Sequence, residues 1–171
     1  MVYVTHDQTE AMSMADQVVL LRAGRVEQDA APADLYARPA TVFAARFIGT
    51  PPMNILALAD GAQGAVIKGT QEGAVYRGRG ESMLLGVRPE DIRLVETGVA
   101  ATLEAIEYLG ADSILVCKAG TETLIVRAQG KVTLAPGTVV QLAWPRGAMH
   151  VFEAASGARR DDVLAAAEAA A

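Results

Sequence analysis

The order of apolar and polar positions divides the chain into two stretches that read differently. Val2, Tyr3 and Val4 form a short β-prone run without polar alternation, the pattern of a strand buried on both faces of a parallel sheet. A polar corner carrying His6 follows. Asp7 and Glu10 have the spacing of a capping box, which predicts a helix over about Gln8 to Asp16. "QVVLLRAGRVEQDA" reads as two strands around a turn at Ala23-Gly24. Pro32 and Pro39 each suit a first helical position, so "PADLYAR" and "PATVFAARFIG" read as two short helices. Phe43 and Phe47, four apart, share a face. Gly49 followed by "TPP" closes the second helix, and a boundary is expected between Gly49 and Asn54.

From Ile55 to Phe152 the pattern changes to short β-prone runs separated by Gly, Pro and Asp. The runs are "GAVIKG", "GAVYRG", "SMLLGV", "VAATLEAIEYL", "SILVCKA", "ETLIVRA", "TVVQLAW" and "AMHVF". The last five, with close turns between them, predict a small closed or partly closed β-barrel of OB-like type. His150 in "AMHVF" points outward if Met149 and Val151 face inward. The tail "SGARRDDVLAAAEAAA" is helix-prone, as a docked helix or a frayed end. The expected fold is therefore mainly β. Residues 1–53 form a small α/β unit, residues 54–157 the β domain, and residues 158–171 an Ala-rich tail.

Composition narrows the chemistry. Apolar residues make up 51%, enough for a packed core, whereas aromatics are only 5%. A net charge of -5 and few rings for base stacking argue against nucleic acid as a partner. The lone Cys117 excludes an intramolecular disulfide and a thiolate metal cluster, and reads as a small apolar residue in its strand. No apolar run approaches the roughly 20 residues of a membrane helix, and no basic segment leads into an apolar one at the start. A soluble, cytoplasmic chain is expected.

The motifs that would carry catalysis are not found. The one Gly-Lys pair, Gly130-Lys131, is followed by Val132 and lacks the upstream glycine of a phosphate loop. No Ser/His/Asp elbow and no His-Glu-x-x-His occurs. Two features stand out. His6 sits on a strand-to-helix corner, where open α/β sheets place ligands, and reads either as a phosphate donor or as a solvated turn residue. In "GVRPEDIRL", Arg88 and Glu90 flank Pro89. Arg88 reads as pinning a loop through a nearby carboxylate, or as a ligand-binding arginine.

The motifs, taken in order, resemble one family. "YVTHDQTEAMSMAD" resembles the switch-histidine segment of ATPase subunits of ABC importers for sugars and sugar phosphates. "VVLLRAGRVEQDAAPADLYARPATVFAARFIGTPPMN" is similar to the segment closing their nucleotide-binding domain. "LLGVRPEDIRL" is similar to the hallmark of their C-terminal regulatory TOBE domain, and "IEYLGADSILV" and "MHVFEAASG" continue the match. "LEAIEYLGAD" leans toward the glycerol-3-phosphate type. The resemblance implies that residues 1–53 are a remnant of the nucleotide-binding domain and residues 54–157 a TOBE/OB-like regulatory domain. It implies that His6 meets the ATP γ-phosphate in an intact subunit, and that Arg88, Pro89 and Glu90 are the regulatory-domain motif. Partners would be a second ATPase subunit in a homodimer and membrane permease subunits. The site would be cytoplasmic, peripheral to the inner membrane, with no nucleic acid and no membrane insertion. The family's phosphate loop, glutamine-bearing loop, "LSGGQ" signature and acidic strand end have no match here. The chain is expected to start just after them, to bind no cofactor alone (ATP and Mg²⁺ belong to the intact family) and not to be an enzyme by itself. The competing expectation is a free-standing OB-like module for a small oxyanion or sugar.

Overall fold

A computed structural model describes residues 1–71 and 73–169; the last two residues of the Ala-rich tail lie outside them. Val2 to Val4 form no strand and are exposed. A doubly buried strand needs a neighbour on each side, and no described strand pairs with this run. Helix α1 (Gln8–Met14) begins where the capping spacing put it. Only half of the capping box forms. The Asp7 carboxylate accepts from the amides of Thr9 and Glu10, while the Glu10 carboxylate turns to the Thr5 hydroxyl at 2.7 Å.

Strands β1 (Val18–Arg22) and β2 (Arg25–Ala30) pair as an antiparallel hairpin. Ala23 and Gly24 both have positive φ, 50° and 75°, the turn whose twist matches a two-residue hairpin. Helix α2 (Pro32–Ala37) starts on its proline as expected. Helix α3 (Val42–Phe47) does not start at Pro39. Its cap is Thr41, whose hydroxyl accepts from the Ala44 amide, an acceptor that proline lacks. Phe43 and Phe47 stack with ring centroids 5.8 Å apart. These elements enclose a small core of Leu20, Leu35, Ala44 and Ile48.

The rest is β. Strands β3 (Asn54–Gly61), β4 (Gly64–Ile67) and β5 (Met83–Val87) come first, then β6 (Arg93–Val95), β7 (Val99–Tyr108) and β8 (Asp112–Ala119). Strands β9 (Glu122–Gln129), β10 (Val139–Ala143) and β11 (His150–Glu153) follow, and helix α4 (Asp161–Ala169) ends the chain. One antiparallel sheet has the order β6-β10-β7-β8-β9 and the other β11-β5-β3-β4. "GAVYRG" makes no strand; it touches the second sheet by a single bridge, Ala65 to Tyr76. Both sheets face one core that includes Leu56, Leu85, Leu103, Leu115, Leu124 and Leu142. The mainly β class is what the structure shows, consistent with an OB-like domain, but β11, expected in one barrel with β7 to β10, pairs with β5 in the second sheet.

The seam between the sheets is closed by side chains. Asn54 exchanges two hydrogen bonds with the backbone of Ile125, at 2.7 and 2.8 Å, and the Glu122 carboxylate takes the Ala57 amide. Each bond stands in for a ladder bond where β3 runs beside β9, giving partners to the Ile125 amide and carbonyl and to the Ala57 amide. Helix α4 docks on the main core through Ala167, Val163 and Leu164. Cys117 is fully buried, and burial pushes its thiol up to about 11, which leaves it an inert core residue.

Candidate functional site

His6 lies in a bend between Thr5 and the Asp7 cap and is exposed to solvent. Two residues on, the Gln8 side chain reaches across to the chain after α3. Its Oε1 accepts from the Gly49 amide at 2.7 Å, and its Nε2 donates to the Thr50 hydroxyl at 3.0 Å. Gln8, Met12, Tyr36, Ile48 and Thr50 thereby line a shallow cleft of about 350 Å³ beside the His6 corner. Sequence reading did not single out Gln8, because its partners lie 41 and 42 residues away and local spacing carries no trace of them.

The "GVRPE" stretch lies on the other side of that peptide. Strand β5 delivers Arg88 into the space between the β domain and the smaller core, where it is 2% exposed. Its expected carboxylate partner is replaced by two carbonyl oxygens. Nη1 donates to Ile48 and Nη2 donates to Tyr36 at 2.7 Å. The guanidinium also stacks on the Tyr36 ring, 3.8 Å from its centroid. Burial lowers the Arg88 pKa from its usual value, offset in part by Tyr36, Glu90 and Asp91. Pro89 is buried at the start of a 3₁₀ turn, Pro89–Asp91, which carries Glu90 under Tyr36. The Tyr36 hydroxyl donates to Glu90, and burial together with that bond pushes its pKa up to about 12. Arg88, Pro89 and Glu90 therefore hold α2 and the end of α3 against the β domain. His6 is not in direct contact with them.

His150 does not point outward as its strand pattern suggested. Residues after β11 fold back across it, with Arg160 donating its amide to Val151 and Phe152 bridged to Arg159. The returning chain pairs with the open edge of β11, whose His150, Val151 and Phe152 are all buried, and His150 is 7% exposed. Arg159 Nη1 lies 2.8 Å from His150 Nδ1, so that nitrogen accepts and the ring is neutral. Burial, then Arg159 and Arg88, lowers its pKa to about 4.

Residues 85–152 match the family model of the TOBE domain. The C-terminal part of the chain is a TOBE domain. Arg88, Pro89 and Glu90 stand near its start, and the Asn54 and Arg88 contacts tie it to what precedes it. Similarity extends beyond the TOBE domain. An uncharacterized ABC transporter ATP-binding protein, y4oS, of Sinorhizobium fredii is 39% identical over 166 residues, 92% of this chain and 44% of that protein. The sn-glycerol-3-phosphate import ATP-binding protein UgpC of Cereibacter sphaeroides is 42% identical over 163 residues, again 92% of this chain and 46% of the relative. Its namesake in Salmonella choleraesuis is 39% identical over 166 residues. The chain is homologous to ABC importer ATP-binding proteins, corresponds to their C-terminal part, and spans about half the length of the curated relatives it matches. No helix among the described residues is long and apolar enough to cross a membrane.

Proposed function

We propose that this chain is the C-terminal portion of an ATP-binding subunit of an ABC importer for sugars or sugar phosphates, glycerol-3-phosphate in the finer reading. In this reading His6 is the switch histidine and the TOBE domain is the regulatory and dimerisation domain. The observation that carries it is the similarity at about 40% identity over 92% of the chain, the TOBE match included, with relatives whose printed names are ABC transporter or importer ATP-binding proteins. Partners in the assembled importer are a second ATP-binding subunit and membrane permease subunits, on the cytoplasmic side.

The geometry agrees with this role for His6. Its ring is exposed and carries no hydrogen bond from another described residue, so it is open to a phosphate oxygen presented from outside the chain. Phosphoryl transfer relies on positioning and charge stabilisation by a phosphate cradle and a metal ion. The described residues offer His6 but no phosphate loop, and gather no group of three metal-ligating side chains. ATP and Mg²⁺ would therefore be held mainly by residues outside this chain, and the chain alone should not hydrolyse ATP. An oxyanion site built on Arg88 has little room, because Nη1 and Nη2 already donate to the Ile48 and Tyr36 carbonyls and the remaining Nε, which has no hydrogen-bond partner, is buried.

The test joins the upstream half of the Cereibacter relative to these 171 residues. The chimera should hydrolyse ATP, the chain alone should give background, and His6→Ala in the chimera should lower turnover by about 10²–10³. Full turnover in the His6→Ala chimera, or His6-dependent hydrolysis by the chain alone, would overturn the reading.

A further inference from the structure

Two contacts described above meet on one peptide group. The carbonyl of Ile48 accepts from Arg88 Nη1, and the amide of Gly49 donates to Gln8 Oε1. That carbonyl and that amide are the two ends of the single peptide bond between Ile48 and Gly49. A peptide group is planar and rigid, so the guanidinium on one side and the carboxamide on the other hold opposite edges of one plate. Thr50, the next residue, gives Gln8 its second bond.

The Arg88 end of the plate is fixed. The guanidinium is stacked on Tyr36, bonded to the Tyr36 carbonyl and buried, while Glu90 holds the Tyr36 hydroxyl. Only glycine lets it reach the plate. Gly49 has φ +112°, and a Cβ there would stand 2.7 Å from Arg88 Nη1. The Gln8 end is lighter. Helix α1 has seven residues, none of them buried, so it has little packing of its own to fix the corner before it. Gln8 is the first residue of that helix and stands two residues from His6.

We infer that Arg88 and Gln8 are positioning residues for His6, coupled through the Ile48–Gly49 peptide, so that the TOBE domain sets the placement of the histidine corner. This rests on the reading of His6 as the switch histidine. A shift of the TOBE domain that draws Arg88 back tilts the plate and moves the Gln8 anchor, and with it the start of α1. The coupling runs both ways, as any linkage between two sites must.

The experiment has two arms. In the 171-residue chain, nuclear magnetic resonance follows the His6 ring and the amides of Thr9 and Glu10, none of which touches Arg88. Arg88→Lys keeps the charge but loses the planar fork that reaches the two carbonyls and stacks on Tyr36. It should shift these resonances in the same direction as Gln8→Ala, and Gln8→Ala should add no further shift in the Arg88→Lys background. Tyr36→Phe frees Glu90 and loosens the ring beneath Arg88 without emptying the main core. It should give a smaller shift of the same sign, and it serves if Arg88→Lys does not fold. Perturbation confined to residues 36, 48 and 49, or fully additive effects, overturns the coupling. In the chimera, Arg88→Lys and Gln8→Ala should each lower kcat about fivefold or more at unchanged KM for ATP, and the pair no more than the worse single variant. An unchanged kcat in both, with His6→Ala inactive, overturns the positioning role alone. An active His6→Ala chimera instead removes the functional reading, while the resonances still decide whether the peptide links the two residues.

Discussion

At the scale of single residues, His150 shows how a covered strand changes a side chain's chemistry. An alternating strand would have put it in water between Met149 and Val151. The return of residues 158–160 across β11 instead buries it against Arg159. No local spacing encodes that return, so the burial was not legible. The consequence is a pH dependence of known sign. The unfolded ring takes a proton near 6.5 and the folded one only at about 4. Protons therefore favour the unfolded chain in that window. His150 imposes no penalty at pH 7, and stability falls as pH drops through 6.5, by at most about 1.4 kcal/mol per pH unit down to pH 4. Asp161 opposes the shift, and Arg159 and Arg88 reinforce it. Denaturant midpoints for wild type and His150→Gln at pH 7 and pH 5 isolate this contribution from the carboxylates. The wild type should lose more stability than the variant between the two. Parallel losses would mean that His150 is protonated in the fold. Arg88 teaches the same lesson about legibility. The motif around it was visible and so was its role in holding a loop, but its partners are carbonyls 40 and 52 residues away rather than a carboxylate nearby.

At the scale of elements, what local chemistry dictates was legible and what depends on neighbours was not. The hairpin turn, the Pro32 start of α2 and the strands β5 and β7 to β11 follow from turn residues and alternation, whereas the three-residue β6 lies in none of the β-prone runs. Val2 to Val4 failed because a buried strand is defined by its neighbours, not by its own sequence. "GAVYRG" failed because it meets the sheet edge at one position only. The start of α3 was misplaced because two signals compete, a proline suited to the first turn and a threonine suited to the cap. The cap prevails because it satisfies an orphan amide, which Pro39 has no means of doing. Thr41 also donates to Glu27 on β2, so the cap fixes α3 to the hairpin as well. Thr41→Ala should lower stability by about 1–2 kcal/mol, Thr41→Ser much less, and Pro39→Ala very little. Urea unfolding of the three variants checks the order, and a Pro39→Ala loss equal to that of Thr41→Ala would return the helix start to the proline.

At the scale of the molecule, the two parts are unequally built. The TOBE domain and its flanking strands share one large core between two sheets, with a side-chain seam closing the gap. The segment before Asn54 has its own cluster of only four buried apolar residues, Leu20, Leu35, Ala44 and Ile48, and a two-stranded sheet, which is marginal by itself in water. Val19, Leu21 and Val26 on that hairpin are exposed, as are Val2 and Val4. Three contacts offset this weakness from the stronger side. Arg88 holds the Ile48 and Tyr36 carbonyls, Ala45 and Met53 pack against Phe152 of β11, and the Ala40 carbonyl takes the Arg159 amide. The first part therefore borrows order from the second rather than the reverse. Local opening free energies differ within a fold in proportion to such packing. Hydrogen exchange on the chain should show β1 and β2 amides exchanging well before those of β7 and β8, or else protected by self-association through the exposed hairpin. A dilution series separates those two cases, since protection that comes from association falls with concentration. Equal, concentration-independent protection of the hairpin and of β7–β8 in a monomer would show that the segment before Asn54 is a full partner in one cooperative fold.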